Sequence, residues 1–545
     1  MNTLLPFAVP YYTIAALHSA VGIVSVFLSR ARTQIHRRGG HMNRIKTLPF
    51  FRILLLAALS LTACSGPKNP CTTCGGGTAT VSLTLVADTL PANPSILSFK
   101  VSILGITLTP AAGTAQSIHP SPSVFDLMRL QSDSAFLGTL TNVPSGSYAI
   151  QVSLSSPEIT FLNDTGSTIT ANGKTCSNGV VCSATLTAVG TPTIGSFTFN
   201  AIASGQQGIE LDFNLKNAIS LSTGTLSVSF NPVSPNPGVL TAFTLPRTNG
   251  NLGTNQLELI EDFTGVVSIS GNNVTITSPT RGALTATSTS GSFFDPSPDG
   301  SICPTPSTLT CVKAGQIASV DGFLKSDGTL ELKEFEPLNA TQQDFVEGIV
   351  DTINTPTRFT VAVTDKVQTA ANSLIGGLNT GDLLTVNLTT PVAKTFLVDT
   401  KDLAVPAGTL GLFQGASDTS AIHPGQAIAV HVTAFVVANS TAIAAATVDT
   451  VILRWSRLIA TPTTSSASTV NVNAVPSYFN ITPASGFPTQ VFSGTLGAQG
   501  VTNLDGITSA AGVIANQPIG LRALYLENTT NSATFPFMAA KIRQH

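Results

Sequence analysis

Cysteine is the residue type best able to do chemistry in this chain, and its seven copies are spread unevenly. Cys64 closes the run Leu61-Thr62-Ala63-Cys64. The other six fall into close pairs, Cys71 with Cys74, Cys176 with Cys182, and Cys303 with Cys311. Cys71-Thr72-Thr73-Cys74 has the spacing of a redox site, but such a site needs a strand before it and a helix after it. Pro67, Pro70 and Gly75-Gly76-Gly77 flank it instead, so a staple within a tether is expected. The six cysteines are disulfide candidates, with local pairing preferred among many possible connectivities. Each of the two longer loops would gain about 2–3 kcal/mol from closure.

The other reactive types are sparse. Beyond Cys64 the histidines are His119, His423, His431 and His545. His423 and His431 lie across an expected turn and strand with no acidic neighbour in sequence, short of a zinc ligand set. Surface and barrel-rim positions are expected for them. Ser65-Gly66-Pro67-Lys68 has the Ser-x-x-Lys spacing, but that pair needs a helical turn, and Pro67 beside Gly66 does not supply one. Asp295-Pro296-Ser297-Pro298-Asp299-Gly300 offers oxygen ligands without the closing bidentate Glu of a calcium loop, so an acidic turn near Cys303 is expected. Carboxylate pairs for glycoside hydrolysis meet only in space; Glu210, Glu331, Glu334 and Glu336 are the candidates. The last three share one strand, which reads as a solvated edge discouraging sheet-to-sheet pairing. Trp455, between Arg454 and Arg457, reads as the seal of a domain boundary. The sequence therefore assigns no catalytic residue, no metal ligand and no cofactor, and a non-enzyme is expected.

The elements ahead of Cys64 give its thiol a different role. Arg44, Lys46 and Arg52 precede an uncharged Leu- and Ala-rich stretch, Ile53 to Leu61, and a small-residue cleavage site, the three parts of an export signal. Ending that signal on Ala-Cys resembles the lipobox of bacterial lipoproteins, which implies lipid attachment at Cys64 as the mature N-terminus. Ser65 after the cysteine, where Asp would retain the protein, resembles the outer-membrane sorting pattern of diderm bacteria. The bacterial cell envelope is thus the implied location, on a periplasmic or surface face. Residues 42–63 read as the signal peptide. Residues 1–41 read as upstream read-through before a start at Met42, or as an extra membrane segment, since Leu4 to Leu28 is apolar enough to span a bilayer.

Composition bounds the partners. Seven of the 26 basic residues and none of the 28 acidic ones precede Cys64, leaving 19 basic against 28 acidic groups after it. Nucleic acid needs a basic footprint, and this balance excludes it as a partner. Charged residues make up only 10% of the chain, yet a hydrophobic share of 42% is enough to build cores. Cysteine pairing fits an oxidising compartment outside the cytoplasm. Residues 64–545 suit three or four domains at about 150 residues each.

Residues 64–77 read as a Gly/Pro tether. Beyond it, period-two alternation predicts strands over Thr80–Val86, Ser98–Thr107, Tyr148–Leu154, Thr193–Ile202 and Ile209–Leu215. Only Val124–Leu130 and Thr369–Ile375 offer short helical alternatives, so the fold class is all-β, an N-terminal β-sandwich followed by two or three small β-barrel-like repeat modules. The sandwich, 78–247, carries Ala87-Asp88-Thr89-Leu90-Pro91, Phe125-Asp126-Leu127, Val143-Pro144-Ser145-Gly146-Ser147-Tyr148 and Ile209-Glu210-Leu211-Asp212-Phe213. This order resembles an uncharacterised domain of bacterial envelope lipoproteins, and its Pro-x-Gly-x-Tyr segment is similar to transthyretin-like sandwiches of the carboxypeptidase-regulatory kind. Ala87 and the inserted Leu90 depart from that family's opening turn.

An internal repeat fills the rest. Asp262-Phe263-Thr264-Gly265-Val266-Val267 returns as Asp344-Phe345-Val346-Glu347-Gly348-Ile349-Val350, with Ile269 and Ile353 further along each strand. Gly315-Gln316-Ile317-Ala318-Ser319-Val320 returns as Gly425-Gln426-Ala427-Ile428-Ala429-Val430, and more weakly at Asn516-Gln517-Pro518-Ile519. Modules are placed at 256–340, 341–457 and 458–545, resembling uncharacterised small barrels of envelope proteins. The Gly accepts positive φ, and the Ile and Val after it are expected inside the barrel. Asp327-Gly328 predicts a hairpin turn. The expected function is a lipid-anchored, non-catalytic envelope scaffold or binding protein. Its partners would be the membrane, through the anchor, and an envelope protein or polysaccharide. An adhesin or glycan-binding surface protein, and a hydrolase with dispersed carboxylates, are the alternatives.

Overall fold

A computed structural model describes residues 77–120, 124–199, 207–231, 238–247, 252–278, 280–295, 308–339, 344–368, 373–388, 395–400, 403–440, 442–479, 487–493, 500–526 and 536–545. The chain is all-β. No helix among the described residues is long and apolar enough to cross a membrane. Cys64, Cys71, Cys74 and Cys303 lie outside the described residues, as does the span Leu4 to Leu28.

In the first domain a four-stranded sheet runs in the order Leu240–Leu245, Gln207–Asn214, Thr78–Asp88, Ala135–Pro144. Thr78–Asp88 pairs parallel to Gln207–Asn214 and antiparallel to Ala135–Pro144. A second sheet is ordered Val181–Thr185, Glu158–Leu162, Ser95–Pro110, Gly146–Leu154, Thr193–Phe199. Their inner faces share one core that includes Leu83, Leu85, Phe99, Ile150, Phe161 and Phe213. Ser82 and Thr84, on the opposite face of the first strand, are buried too. A strand covered on both faces is the usual sign of a sheet sandwiched between layers. The Cys176–Cys182 disulfide ties a small third sheet to the edge of the second.

Three further sheets share one strand order. Counted along the chain within each, the order is third, second, first, fourth, fifth, then a short extra strand. Their strands run through Gln256–Asn339, Phe345–Leu453 and Ser456–Gln544. The second closes into a barrel through Leu384↔Ala444 to Leu388↔Val448, and the third through Thr489↔Phe537 to Val491↔Ala539. One bridge, Thr287↔Glu331, joins the same two strands in the first.

The repeated Gly-Gln is a turn lock. Gly315 and Gly425 have φ of 86° and 87°, and Asn516 takes their place at 62°. Asn tolerates this left-handed region better than most residues, which is why the third copy survives without Gly. The glutamine then ties back the short 3-10 turn before it. Gln316 Oε1 accepts from Lys313 N at 2.6 Å while its Nε2 donates to Cys311 O at 3.1 Å. Gln426 repeats both bonds with His423 N and Ala421 O.

Two details depart from the sequence reading. Ala318 and Val320 face the first barrel's core, whereas Ile317 points outward into a cluster with Phe345, Ala429 and Ile452 of the second. The first barrel thus uses its isoleucine to dock its neighbour. The segment expected as strand or helix at Val124–Leu130 is a three-residue strand, Val124–Asp126, then a 3-10 turn at Arg129–Gln131.

Candidate functional site

The segment after Asp126 is the keystone. Asp126 accepts hydrogen bonds from Phe99 N at 2.9 Å, Met128 N at 3.0 Å and Ser98 Oγ at 2.7 Å. These bonds fold Leu127–Ser134 inward, and the segment is buried throughout. It carries Arg129, Asp133 and Ser134 into a polar layer between the sandwich and the barrels.

The barrels meet this segment with opposite charges. From the first barrel come Glu258, Glu261 and Asp262; from the third side come Arg454, Arg457, Arg522, Lys541 and Arg543, all buried except the half-buried Arg457. Arg454 Nη2 lies 2.9 Å from Asp262 Oδ1, and Arg457 pairs with the other Asp262 oxygen. Arg522 reaches Glu261 at 2.9 Å, and Lys541 lies 3.3 Å from the same carboxylate. Arg457 Nε meets Asp133 at 2.5 Å. Arg543 spans two units, pairing with Asp505 at 2.6 Å and donating to Asp133 O at 2.8 Å and Ser134 Oγ at 2.7 Å. Arg129 extends the layer to the second barrel through Asp365 at 2.9 Å. Guanidinium suits this role because its planar fork serves several acceptors at once.

Electrostatics follow the geometry. Burial alone would raise the Asp133 carboxyl, but Arg457, Arg281 and Arg522 outweigh it and hold it down to about 2. Glu258 goes the other way: burial, with Asp505 close by, pushes it up to about 8 despite Lys541 and Arg543. Burial opposes the charge of Arg522, yet Glu261, Asp133, Asp262 and Asp321 more than offset it and hold its pKa above the ordinary arginine value.

A cleft of about 470 Å³ opens between the sandwich and the third barrel. The sandwich lines it with the turn Thr89 to Ile96, Asp164 and Lys216; the barrel lines it with Val475, Pro476, Ser477 and Pro518. Asp164 accepts from Ser95 Oγ at 2.8 Å and from Ser477 Oγ, and the two hydroxyls are 2.9 Å apart. Activating a serine needs a base that takes its proton. Among the described residues the lining contains no histidine, and Asp164 stitches the two domains across the cleft.

Beside that cleft, strand ends converge on a third polar group. Asp88, Asp212 and His545 place one carboxylate oxygen each and one ring nitrogen within 4.8 Å of one another. Burial, then the charges of Asp88 and Glu210, push Asp212 up to about 8. Burial outweighs Asp88 and lowers His545 to about 4, so its imidazole is neutral.

The residues singled out by sequence fall as follows. Cys176 and Cys182 are bonded, with Cα atoms 6.1 Å apart. Cys311 is disulfide-bonded, and its expected partner Cys303 lies outside the described residues. His119 is exposed and pairs with Leu104 O. His423 is half-buried, while His431 is buried with Nδ1 2.6 Å from Asp449 across a hairpin. Glu210 is buried against Arg247 at 3.0 Å. Glu331 pairs with Lys325 at 2.9 Å, but Glu334 and Glu336 are buried and form no solvated edge. Their strand pairs on its far side with Phe293–Phe294, and the field of Glu336 reaches the buried Arg454. Trp455 is fully buried among second-barrel residues and Leu524, Leu526 and Met538 of the third. Of the calcium-like loop only Asp295 lies within the described residues.

Sequence reading missed the ionic layer and the Asp88–Asp212–His545 group. A signal for the layer existed. Residues 256–340 hold ten acidic and four basic residues, whereas 458–545 hold two acidic and three basic ones, with Arg454 and Arg457 just before. Opposite charge on two copies of one repeat predicts that their surfaces meet. No signal in sequence joins Asp88, Asp212 and His545. No family model matches this chain, and neither a curated protein nor a solved structure does.

Proposed function

We propose that this chain is a lipid-anchored protein of the bacterial cell envelope, a non-enzymatic scaffold or binding protein held to the membrane through Cys64. The anchor rests on the signal-like run ending in Ala63-Cys64 and on the tether after it. The single observation favouring a scaffold is the buried ionic layer, which ties the sandwich segment at Arg129–Ser134 to all three barrels. Breaking one buried pair leaves an uncompensated charge, so hinge motion between these units is strongly opposed. A fixed block suits spacing or presenting a surface.

A partner-binding role finds support on the second barrel. Leu374, Val436, Val437 and Ile443 expose large aliphatic side chains there. The backbone at Gly377, three residues after Leu374, lies beside Val437. Aliphatic groups favour a protein partner over a sugar, because sugars are read mostly by aromatic rings with a polar handle.

The test is metabolic labelling with palmitate and membrane fractionation of native protein and a Cys64→Ser variant. Label on the native chain alone, with release of the variant into the soluble fraction, is expected. An unlabelled native chain, or a variant that pellets equally well, would overturn the anchor.

A further inference from the structure

We propose that Asp88, Asp212 and His545 bind one divalent cation of the zinc class at the seam between the sandwich and the third barrel. This goes beyond the scaffold reading and does not depend on the lipid anchor. The topology builds the site from three strand ends. Thr78–Asp88 and Gln207–Asn214 pair in parallel, with Val86 opposite Asp212 and Asp88 opposite Asn214. Residues two apart on a strand share a face, so Asp88 and Asp212 project to the same side. His545, following Phe537–Gln544, enters from the third barrel.

Three observations point to a ligand. The first is unmet bonding: Asp212 Oδ1 and both ring nitrogens of His545 are buried without hydrogen-bond partners, at 4% and 3% exposure for the two side chains. Buried polar atoms are almost always satisfied, and the exceptions need a reason. The second is spacing: His545 Nδ1 lies 3.8 Å from Asp88 Oδ1, too far to hydrogen-bond. It is close to the ~3.4 Å separating two donors on one tetrahedral zinc. The third is charge: around the trio stand the carboxylates of Asp88, Asp212, Glu210 and Asp505 against the guanidiniums of Arg247 and Arg543. One imidazole with two carboxylates suits zinc better than the all-oxygen sets of magnesium or calcium. Asn214 Nδ2 sits 3.4 Å from Asp88 Oδ2, as an outer-shell group that orients a ligand. Thr89, next to Asp88 in the chain, lines the neighbouring cleft.

The experiment is equilibrium dialysis of the chelator-treated full chain against Zn2+ alone, with Mg2+ as the control ion. His545→Ala and the near-isosteric Asp212→Asn are dialysed in parallel. Metal-free melting of each variant serves as the check on folding. One equivalent of Zn2+ is expected on the wild type, weakened at least tenfold in both variants, with little Mg2+ bound. Co2+ added in place of Zn2+ should give visible d–d absorption that both variants lose. No Zn2+ bound by the wild type, equal binding by both folded variants, or Mg2+ binding as tight as Zn2+, would overturn the site.

Discussion

The first and third barrels share a strand order and differ in what they show the rest of the molecule. Inside, they match: Val320 faces Phe335 across the fourth and fifth strands of the first, as Leu521 faces Ile542 in the third, and all four are core residues. On the outer face the same register sets Asp321 against Glu334 in one and Arg522 against Lys541 in the other. Glu336 and Arg543 likewise occupy matching places, opposite Ser319 and Gly520. A fold tolerates free change of its outward residues so long as the inward period is kept. Here that freedom has been used to turn two copies of one barrel into complementary surfaces.

This contrast can be attacked directly. The largest effect is expected at the outer face: Asp262→Ala should cost about 3–5 kcal/mol by removing the buried carboxylate that Arg454 and Arg457 share. Chemical denaturation would measure it. Glu261→Arg or Arg522→Glu alone should be similarly harmful, whereas the double exchange should recover part of the loss in a double-mutant cycle. Absence of recovery would mean that the pairing is incidental. Interior cuts should be comparable in the two barrels, about 3–5 kcal/mol for Phe335→Ala and about 2–5 kcal/mol for Ile542→Ala.

Acid and alkali should loosen the layer from opposite ends. Asp133 has a folded pKa of about 2 against 3.8 ordinarily, so its contribution is present above pH 3.8 and lost as pH falls toward 2. Glu258 is raised from 4.5 to about 8, so its contribution is complete below pH 4.5 and lost as pH climbs through 8. Melting temperature should therefore fall on both sides of a plateau. Glu258→Gln should flatten the alkaline limb and leave the acid limb alone.

Smaller effects are expected away from the layer. Replacing Cys176 and Cys182 by serine should cost about 2 kcal/mol, set by the short loop they close. Truncating Lys325, a partly exposed partner of Glu331, should cost at most about 1 kcal/mol. A loss at Lys325 as large as that at Asp262 would erase the distinction between buried and surface pairs.

What was legible in the sequence followed from period and turn chemistry. Thr80 to Val86 alternates and is a strand; Asp327-Gly328 makes its turn, with Gly328 at φ 81°. The Gly-Gln repeat was visible because a left-handed residue followed by an amide is a local device. Glu334 and Glu336 misled because a charged residue on an alternating strand reads as solvated, and their burial shows only once the strand is packed in the fold. Ile317 misled for the mirror reason, an apolar side chain facing a neighbour instead of its own barrel. Asp88, Asp212 and His545 were invisible, since parallel pairing joined two of them and a remote strand end the third.

The charge layer also sets an order of events during synthesis. Glu258 and Glu261 leave the ribosome long before Arg522, Lys541 and Arg543, their later counter-ions. Until then the first barrel's face is hydrated and self-repelling, a surface on which nascent chains do not stick to one another. Chains stopped before Ile519 are therefore expected to stay dispersed in light scattering even though their folding is unfinished.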